Sequence, residues 1–245
     1  MGASYDAFEN KLLVVLDRDR SDDSSAAKLE AETGLERSAI GSSIEVRRVK
    51  STPRFYGGQS AYNSTTGGGC TTGFGVSTSS GTGYLTMGHC GSGTWNINGN
   101  VSSSVIGTHI GSYHDREAII APGASWMTKI SPSSEVDMDN NPLHLYLNGS
   151  YCHFGQASFN MSCGTITAVS IPVPGPPTTY AFQSTATCRP GDSGGPVWKL
   201  ETNFVHTPRG MIIAGDQTAA PVNGNWPCQY VAMVDQLSGT GWTLM

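Results

Sequence analysis

From Gly58 to the end of the chain, short apolar runs recur at close intervals with Gly, Ser, Thr, Asn or Pro between them. This rhythm leaves few architectures open. The runs are Thr72–Val76, Gly83–Met87, Ser104–Gly107, Glu117–Ile120, Ser125–Ile130, His144–Leu147, Cys163–Val173, Pro196–Leu200, Gly210–Ala214 and Tyr230–Val234. Most have the length of a strand and are bounded by turn residues. Nothing of helical length and period falls between them, which argues against a parallel sheet with crossover helices. Only Val231–Leu237 reads as a short helix. With 31 glycines in 245 residues, tight turns are plentiful, and an antiparallel barrel or a pair of barrels is expected.

The first 56 residues are different in kind. They hold nine Lys/Arg and ten Asp/Glu, more than half of the chain's 33 charges. Lys11–Leu16 and Ile44–Val49 read as strands. Asp22–Thr33 reads as a helix with Ser21 or Asp22 as its cap and Gly34 just past its end. A piece of this size without disulfides is marginal alone, so it is expected to fold against the rest. The shift in composition near Pro53–Gly58 marks the boundary, dividing the chain into 1–56 and a body of 57–245.

All six cysteines (Cys70, Cys90, Cys152, Cys163, Cys188, Cys228) belong to the body. An even count in a Gly/Ser-rich, weakly charged chain implies three disulfides and an oxidising compartment. Spacing alone does not choose among the connectivities, and the spacings do not suit zinc. The net charge of −5 offers no basic surface to nucleic acid and no polybasic patch to a membrane. The first apolar run, Leu12–Leu16, is too short for a secretory signal. The chain is therefore read as a truncated precursor of a secreted protein.

Within the body, Arg189-Pro-Gly-Asp-Ser-Gly-Gly-Pro196 places a serine among glycines. Glycines admit positive φ and close approach of another chain, and they leave bare N–H groups beside the hydroxyl, which a developing oxyanion needs. Serine is a weak nucleophile without a neighbouring base. Of the histidines 89, 109, 114, 144, 153 and 206, His89 stands out. It follows an apolar strand in Gly83-Tyr-Leu-Thr-Met-Gly-His-Cys90, where a disulfide would fix its backbone. The base in turn needs a carboxylate to hold its tautomer. Asp115 opens the apolar segment His114–Ile120 and is the leading candidate. Glu117, on the same face, is the alternative, and Asp137 and Asp139 sit in a polar run that reads as solvated. Gly191–Gly195 also satisfies the Gly-x-Ser-x-Gly of α/β-hydrolases, but that fold needs its acid and histidine after the serine.

Cys70-Thr-Thr-Gly-Phe-Gly-Val76, Leu85-Thr-Met-Gly-His-Cys90, Asp115 and Gly-Asp-Ser-Gly-Gly195, in this order, resemble the chymotrypsin-fold serine proteases (peptidase family S1). The bacterial streptogrisin and alpha-lytic protease branch is the most similar. Cys152…Cys163-Gly-Thr-Ile-Thr167 and the ending Gly-Trp-Thr-Leu-Met245 resemble it too. The resemblance covers about residues 57–245, and residues 1–56 resemble the end of that branch's propeptide more loosely. It implies an all-β fold of two antiparallel six-stranded barrels, 57–140 and 141–245, with a short C-terminal helix and a small α+β propeptide remnant in front. It implies Ser193 as nucleophile, His89 as general base and then acid, and Asp115 as the orienting carboxylate. The N–H groups of Gly191 and Ser193 would form the oxyanion hole. Disulfides would join Cys70 to Cys90, Cys152 to Cys163 and Cys188 to Cys228. Partners would be polypeptide substrates and the chain's own residues 1–56, acting as folding aid and cleft inhibitor. The protein would be a secreted monomer without metal or cofactor. A non-catalytic binding module on the same fold is the competing class.

Two departures from the branch stand out. The branch uses an Arg directly after the cysteine that matches Cys152 to pair with the acid before the serine. Here that position is His153, so Asp192 is expected to pair with His153 or Arg189, and with His153 the pairing would weaken at higher pH. The usual Ser-x-Gly stretch is replaced by Ile213-Ala214-Gly215. Thr187, six residues before Ser193, leaves out the acid that selects Lys or Arg. Thr187, Ile213, Ala214 and Gly215 together suggest a pocket for large apolar side chains at P1, the residue before the cleaved bond. Phe55-Tyr56 at the boundary suits self-cleavage after either residue. Asn63, Asn100, Asn148 and Asn160 head sequons that matter only in a eukaryotic secretory host.

Overall fold

Among the described residues, twenty strands make up nearly all of the regular structure. The computed structural model describes residues 2–6, 11–17, 44–49, 55–97, 101–111, 114–121, 124–131, 134–136, 138, 141–173, 179–200 and 206–245. The chain divides into two units, Met1–Arg54 and Phe55–Met245. In the first, β1 (Gly2–Asp6) runs antiparallel to β2 (Lys11–Asp17), and β2 runs parallel to β3 (Ile44–Val49). The helix expected over Asp22–Thr33 lies outside the described residues.

The second unit begins with β4 (Phe55–Gly57), β5 (Ser60–Asn63), β6 (Gly69–Thr71), β7 (Gly75–Thr78), β8 (Gly81–Thr86) and β9 (Thr94–Ile97). It continues through β10 (Val101–Gly111), β11 (His114–Ile120), β12 (Ala124–Ser131) and β13 (Ser134–Val136). Then follow β14 (Ser150–Gly155), β15 (Asn160–Val173), β16 (Thr179–Cys188), β17 (Pro196–Leu200), β18 (His206–Gly215), β19 (Trp226–Ala232) and β20 (Thr243–Leu244). The division between units falls at Arg54/Phe55, and Phe55 and Gly57 pair with β12.

The later half closes into a six-stranded barrel in the order β14-β15-β16-β19-β18-β17, with Cys152 and His153 pairing Trp198 and Val197 to complete the ring. Its interior holds Tyr151, Ile166, Val197, Ile212 and Tyr230, all nearly or fully buried. Burying each such side chain contributes about 1.5–3 kcal/mol. The earlier half departs from the expected closed six-stranded barrel. Its ladder is an open eight-stranded sheet, β20-β7-β8-β11-β10-β9-β5-β6, beside a separate three-stranded sheet, β13-β12-β4. The reason is in the pairing: β12 takes β4 and β13 as neighbours, while β20 occupies the outer edge of β7. Tyr84, Leu85, Trp95, Ile97 and Ile119 form this half's interior.

His144–Leu147 is not a strand. Asn148 takes φ 63° and the Gly149 N–H closes on the Tyr146 carbonyl at 3.0 Å, so the segment turns. The Thr72–Val76 run is broken too: Thr72 and Gly73 donate to Gln59 and Leu85, outside any regular ladder, and β7 starts at Gly75. The helix at the C-terminal end spans Met233–Leu237. No helix among the described residues is long and apolar enough to cross a membrane.

Candidate active site

The loop that carries Ser193 is shaped by glycine and held from outside. Gly191 and Gly194 have φ 96° and 88°, values open to glycine and costly for other residues. A Cβ on Gly194 would lie 2.2 Å from the Thr71 carbonyl oxygen. Thr71 fastens the loop to the earlier half. Its N–H donates to the Ser193 carbonyl at 2.8 Å, its hydroxyl donates to the Gly191 carbonyl at 2.9 Å, and its own carbonyl accepts the Thr86 hydroxyl at 3.1 Å. Among the described residues, the N–H groups of Gly191 and Ser193 donate to no protein acceptor.

His89 stands in the single turn of 3₁₀ helix Gly88–Cys90, anchored by the Cys70–Cys90 disulfide. Its Nδ1 lies 2.5 Å from Asp115 Oδ2, and its backbone N–H donates to Asp115 Oδ1 at 2.8 Å. One carboxylate thus holds both the ring and its mounting. Asp115 is buried, whereas the His89 side chain is 43% exposed. Of the acids considered from the sequence, Asp115 is the one whose carboxylate meets the ring; Asp137 and Asp139 lie outside the described residues. Asn63, the first residue of a sequon, is buried here, and its Nδ2 donates to the Gly91 carbonyl at 2.6 Å. It holds the loop after His89 and has no room for a glycan.

Asp115 is also tied to the C-terminal helix. Its N–H donates to Gln236 Oε1 at 3.3 Å. The neighbouring Arg116 Nη1 donates to the carbonyls of Asp235, Gln236 and Ser238 at 3.0, 2.6 and 2.9 Å. A guanidinium there satisfies carbonyls that a helix leaves without partners. The sequence carries no local sign of these contacts, which join residues about 120 positions apart.

His89 and Ser193 line one cleft of about 470 Å³ together with Gly191, Arg189, Gln217 and Trp226. Ile213, Ala214 and Gly215 line it as well. The Ser193 hydroxyl donates to the Ile213 carbonyl at 3.2 Å. Ile213 is a core residue of β18 at the same time, its side chain buried. Thr187 does not line the cleft. It sits on β16 beside the Cys188–Cys228 disulfide, with its N–H on Ser162 Oγ at 3.2 Å. The third disulfide, Cys152–Cys163, joins β14 to β15.

Asp192 is fully buried, and of the two partners expected only Arg189 meets it, through its backbone amide and not its guanidinium. Its Oδ1 accepts the Ser158 N–H at 2.8 Å and its Oδ2 accepts the Arg189 N–H at 2.9 Å. Backbone amides replace a charged partner. The Arg189 guanidinium instead turns to Asn225 Oδ1, at 3.2 Å from Nε. His153 is committed elsewhere, with Nδ1 2.5 Å from the Tyr230 hydroxyl. Burial pushes the His153 imidazole down to about 4, against an opposing backbone hydrogen bond with Thr187. The ring is therefore neutral in the folded protein at neutral pH.

This reverses the pH dependence expected from an Asp192 pair. Below the ordinary histidine value of 6.5 the unfolded chain takes up a proton that the folded chain refuses until about pH 4. Stability is thus expected to be full above pH 6.5 and to fall as the pH drops toward 4, by about 3 kcal/mol from this residue. Urea unfolding at pH 7, 5.5 and 4, with His153→Gln alongside, measures it. A slope shared equally by the variant would rule His153 out as its source.

No protein-family model matches the chain, and no curated protein matches it in sequence. Its backbone nonetheless follows those of solved serine proteases. Thermobifida fusca protease A is similar with TM-score 0.64 at 24% identity, over 79% of this chain and 99% of that one. A glutamic acid-specific serine protease, which uses a histidine triad in substrate binding, is similar with TM-score 0.65 at 20% identity, over 78% of this chain and all of the other. Cellulomonas bogoriensis chymotrypsin is similar with TM-score 0.62 at 20% identity, over 78% and 97%. The chain has an all-β, two-domain chymotrypsin-like fold.

Proposed function

We propose that this chain is a serine endopeptidase of the chymotrypsin-like class, acting through an acyl-enzyme at Ser193. The observation that carries the reading is one cleft that holds a carboxylate-braced imidazole, a serine hydroxyl and two unclaimed amides. Ser193 Oγ attacks the peptide carbonyl while His89 Nε2 takes its proton, then returns it to the leaving amine. Asp115 keeps the proton on Nδ1 and steadies the imidazolium. The Gly191 and Ser193 amides receive the oxyanion, where a single such donor is worth about 10²–10³ in rate. Water then releases the acyl group by the same steps in reverse.

The finer reading places the protein in the bacterial streptogrisin and alpha-lytic branch of family S1. It is secreted, monomeric and made as a precursor whose residues 1–56 act as a folding aid and inhibitor. The domains run 57–140 and 141–245. The walls of Ile213, Ala214, Gly215 and Trp226 favour large apolar P1 side chains. Self-cleavage after Phe55 or Tyr56 requires β4 to come away from β12, because Gly57 is buried and the Gly58 N–H donates to the Thr72 carbonyl.

A serine-directed phosphonylating reagent tests the reading. One adduct, mapped by mass to Ser193 in processed protein, is expected. Processed protein that takes no label at Ser193 favours the non-catalytic binding module.

A further inference from the structure

The cleft carries one permanent charge. Five Lys and Arg follow residue 56. Arg116 and Arg209 are buried and donate to backbone carbonyls. Lys129 and Lys199 belong to strands β12 and β17. Among the described residues, Arg189 alone of the five lines the cleft, and no Asp or Glu lines it. The body outside residues 1–56 has more acids than bases, yet among the described residues the Arg189 guanidinium meets a neutral amide and no carboxylate. Arg189 is exposed, so its guanidinium is open to a ligand as well as to water.

Its orientation is set by the β18–β19 connection. Val222 and Asn225 exchange backbone hydrogen bonds at 2.8 and 3.0 Å across Asn223 and Gly224, whose φ values are 53° and 74°. This is the two-residue hairpin turn that Asn-Gly favours. Asn225 Oδ1 leaves that turn to accept the Arg189 Nε–H. With Nε engaged, both Nη groups keep their donors, which match a carboxylate's two oxygens.

We propose that Arg189 reads a carboxylate on the P1 side chain, so that a peptide with glutamate there is cut in preference to one with glutamine of the same shape. The inference rests on the reading of this cleft as a peptide-cleavage site and refines its P1 preference. Arg189 shares its wall with Ile213, Ala214, Gly215, Gln217 and Trp226. The neighbouring depression, lined by Ser60, Gln156 and Ala157, meets Pro190 and Gly191 but not Arg189. The cation belongs with the wall of Ile213, Ala214 and Gly215 that the proposed function assigns to P1. Glutamate's methylenes lie against Ala214 and Trp226 while its carboxylate meets the guanidinium. Gln keeps the shape and loses the charge, and Lys is repelled.

The test uses peptides that differ only at P1, with Glu, Gln, Leu, Phe and Lys, on active-site-titrated processed protein. Wild type is expected to show kcat/KM for Glu about tenfold above Gln, the worth of one charge-assisted hydrogen bond. Arg189→Ala should bring that ratio close to one, and Arg189→Glu should raise Lys above Gln. Asn225→Ala should lower the ratio part of the way. A Glu to Gln ratio near one in wild type overturns the proposal, even though Leu and Phe peptides are cut. So does a ratio that survives in Arg189→Ala. If no peptide is cut and Ser193 takes no phosphonyl label, the cleavage reading fails and takes this proposal with it.

Discussion

Alanine at position 193 is expected to lower kcat on a peptide amide by about 10⁶. In the proposed mechanism this hydroxyl forms the acyl bond, and its one hydrogen bond among the described residues is to the Ile213 carbonyl. The loop does not need that contact, because the Ser193 carbonyl stays on the Thr71 N–H. Ser193→Ala should therefore fold and melt within a few degrees of wild type. His89→Ala should cost a similar factor, and the double variant little more, since nucleophile and base act as a unit. Single-turnover kinetics with an ester and an amide substrate would measure this. Activity of Ser193→Ala within tenfold of wild type would end the assignment. The same variant reports on maturation. Pure Ser193→Ala precursor should remain intact at Phe55-Tyr56, and a cut appearing there would show that another mechanism processes the chain.

Asp115→Asn should lower kcat by about 10⁴ while leaving the fold in place. The carboxylate now accepts two N–H groups, the His89 amide on Oδ1 and the ring on Oδ2. An asparagine of the same shape has one acceptor and would present an N–H to the other donor. If its oxygen keeps the backbone amide, its NH₂ faces Nδ1 and moves the ring proton to Nε2. That nitrogen then cannot take the proton of Ser193. The expected signature is a large fall in kcat with KM little changed, and loss of the low-field Nδ1 proton resonance. Glu117→Gln separates the alternative acid: it should not reproduce that combination. If it does and Asp115→Asn does not, the acid has been misassigned.

Much of the architecture was legible in local chemistry. Pro196–Leu200 and the centre of β18 are apolar runs between turn residues and appear as strands. β5, β9, β14 and β16 were missed. Ser60–Asn63 and Thr179–Cys188 are rich in polar residues, and their strand state comes from neighbours that pair with them. His144–Leu147 shows the converse, since its apolar residues had no ladder to join. Closure of a sheet is likewise a property of pairing. The later half closes because β17 reaches β14, whereas β12 joins β4 and β13 and leaves the earlier sheet open.

The site divides in the same way. Gly191, Gly194 and the Asn223-Gly224 turn announce themselves, because positive φ is a local demand that glycine and asparagine meet. The order of His89, Asp115 and Ser193 could be read from motifs. Thr71, Arg116, Gln236 and Asn225 could not, because each acts on a residue far away in sequence and looks ordinary among its neighbours. Asp192 is the sharpest case. A buried acid invites a charged partner, yet the Ser158 and Arg189 amides satisfy it. His153, the residue expected to help, is neutral against Tyr230.

The amino-acid sequence by itself determined the short-strand class, the boundary near Phe55, the even cysteine count and the backbone freedom around Ser193. These are set by residue type and spacing within a few positions. The tertiary structure alone decided that the earlier sheet stays open, that Asp115 meets His89, that amides hold Asp192, and that Arg189 stands over the cleft beside Trp226. Those are distances between residues tens of positions apart, and only the paired strands that carry them bring them within reach.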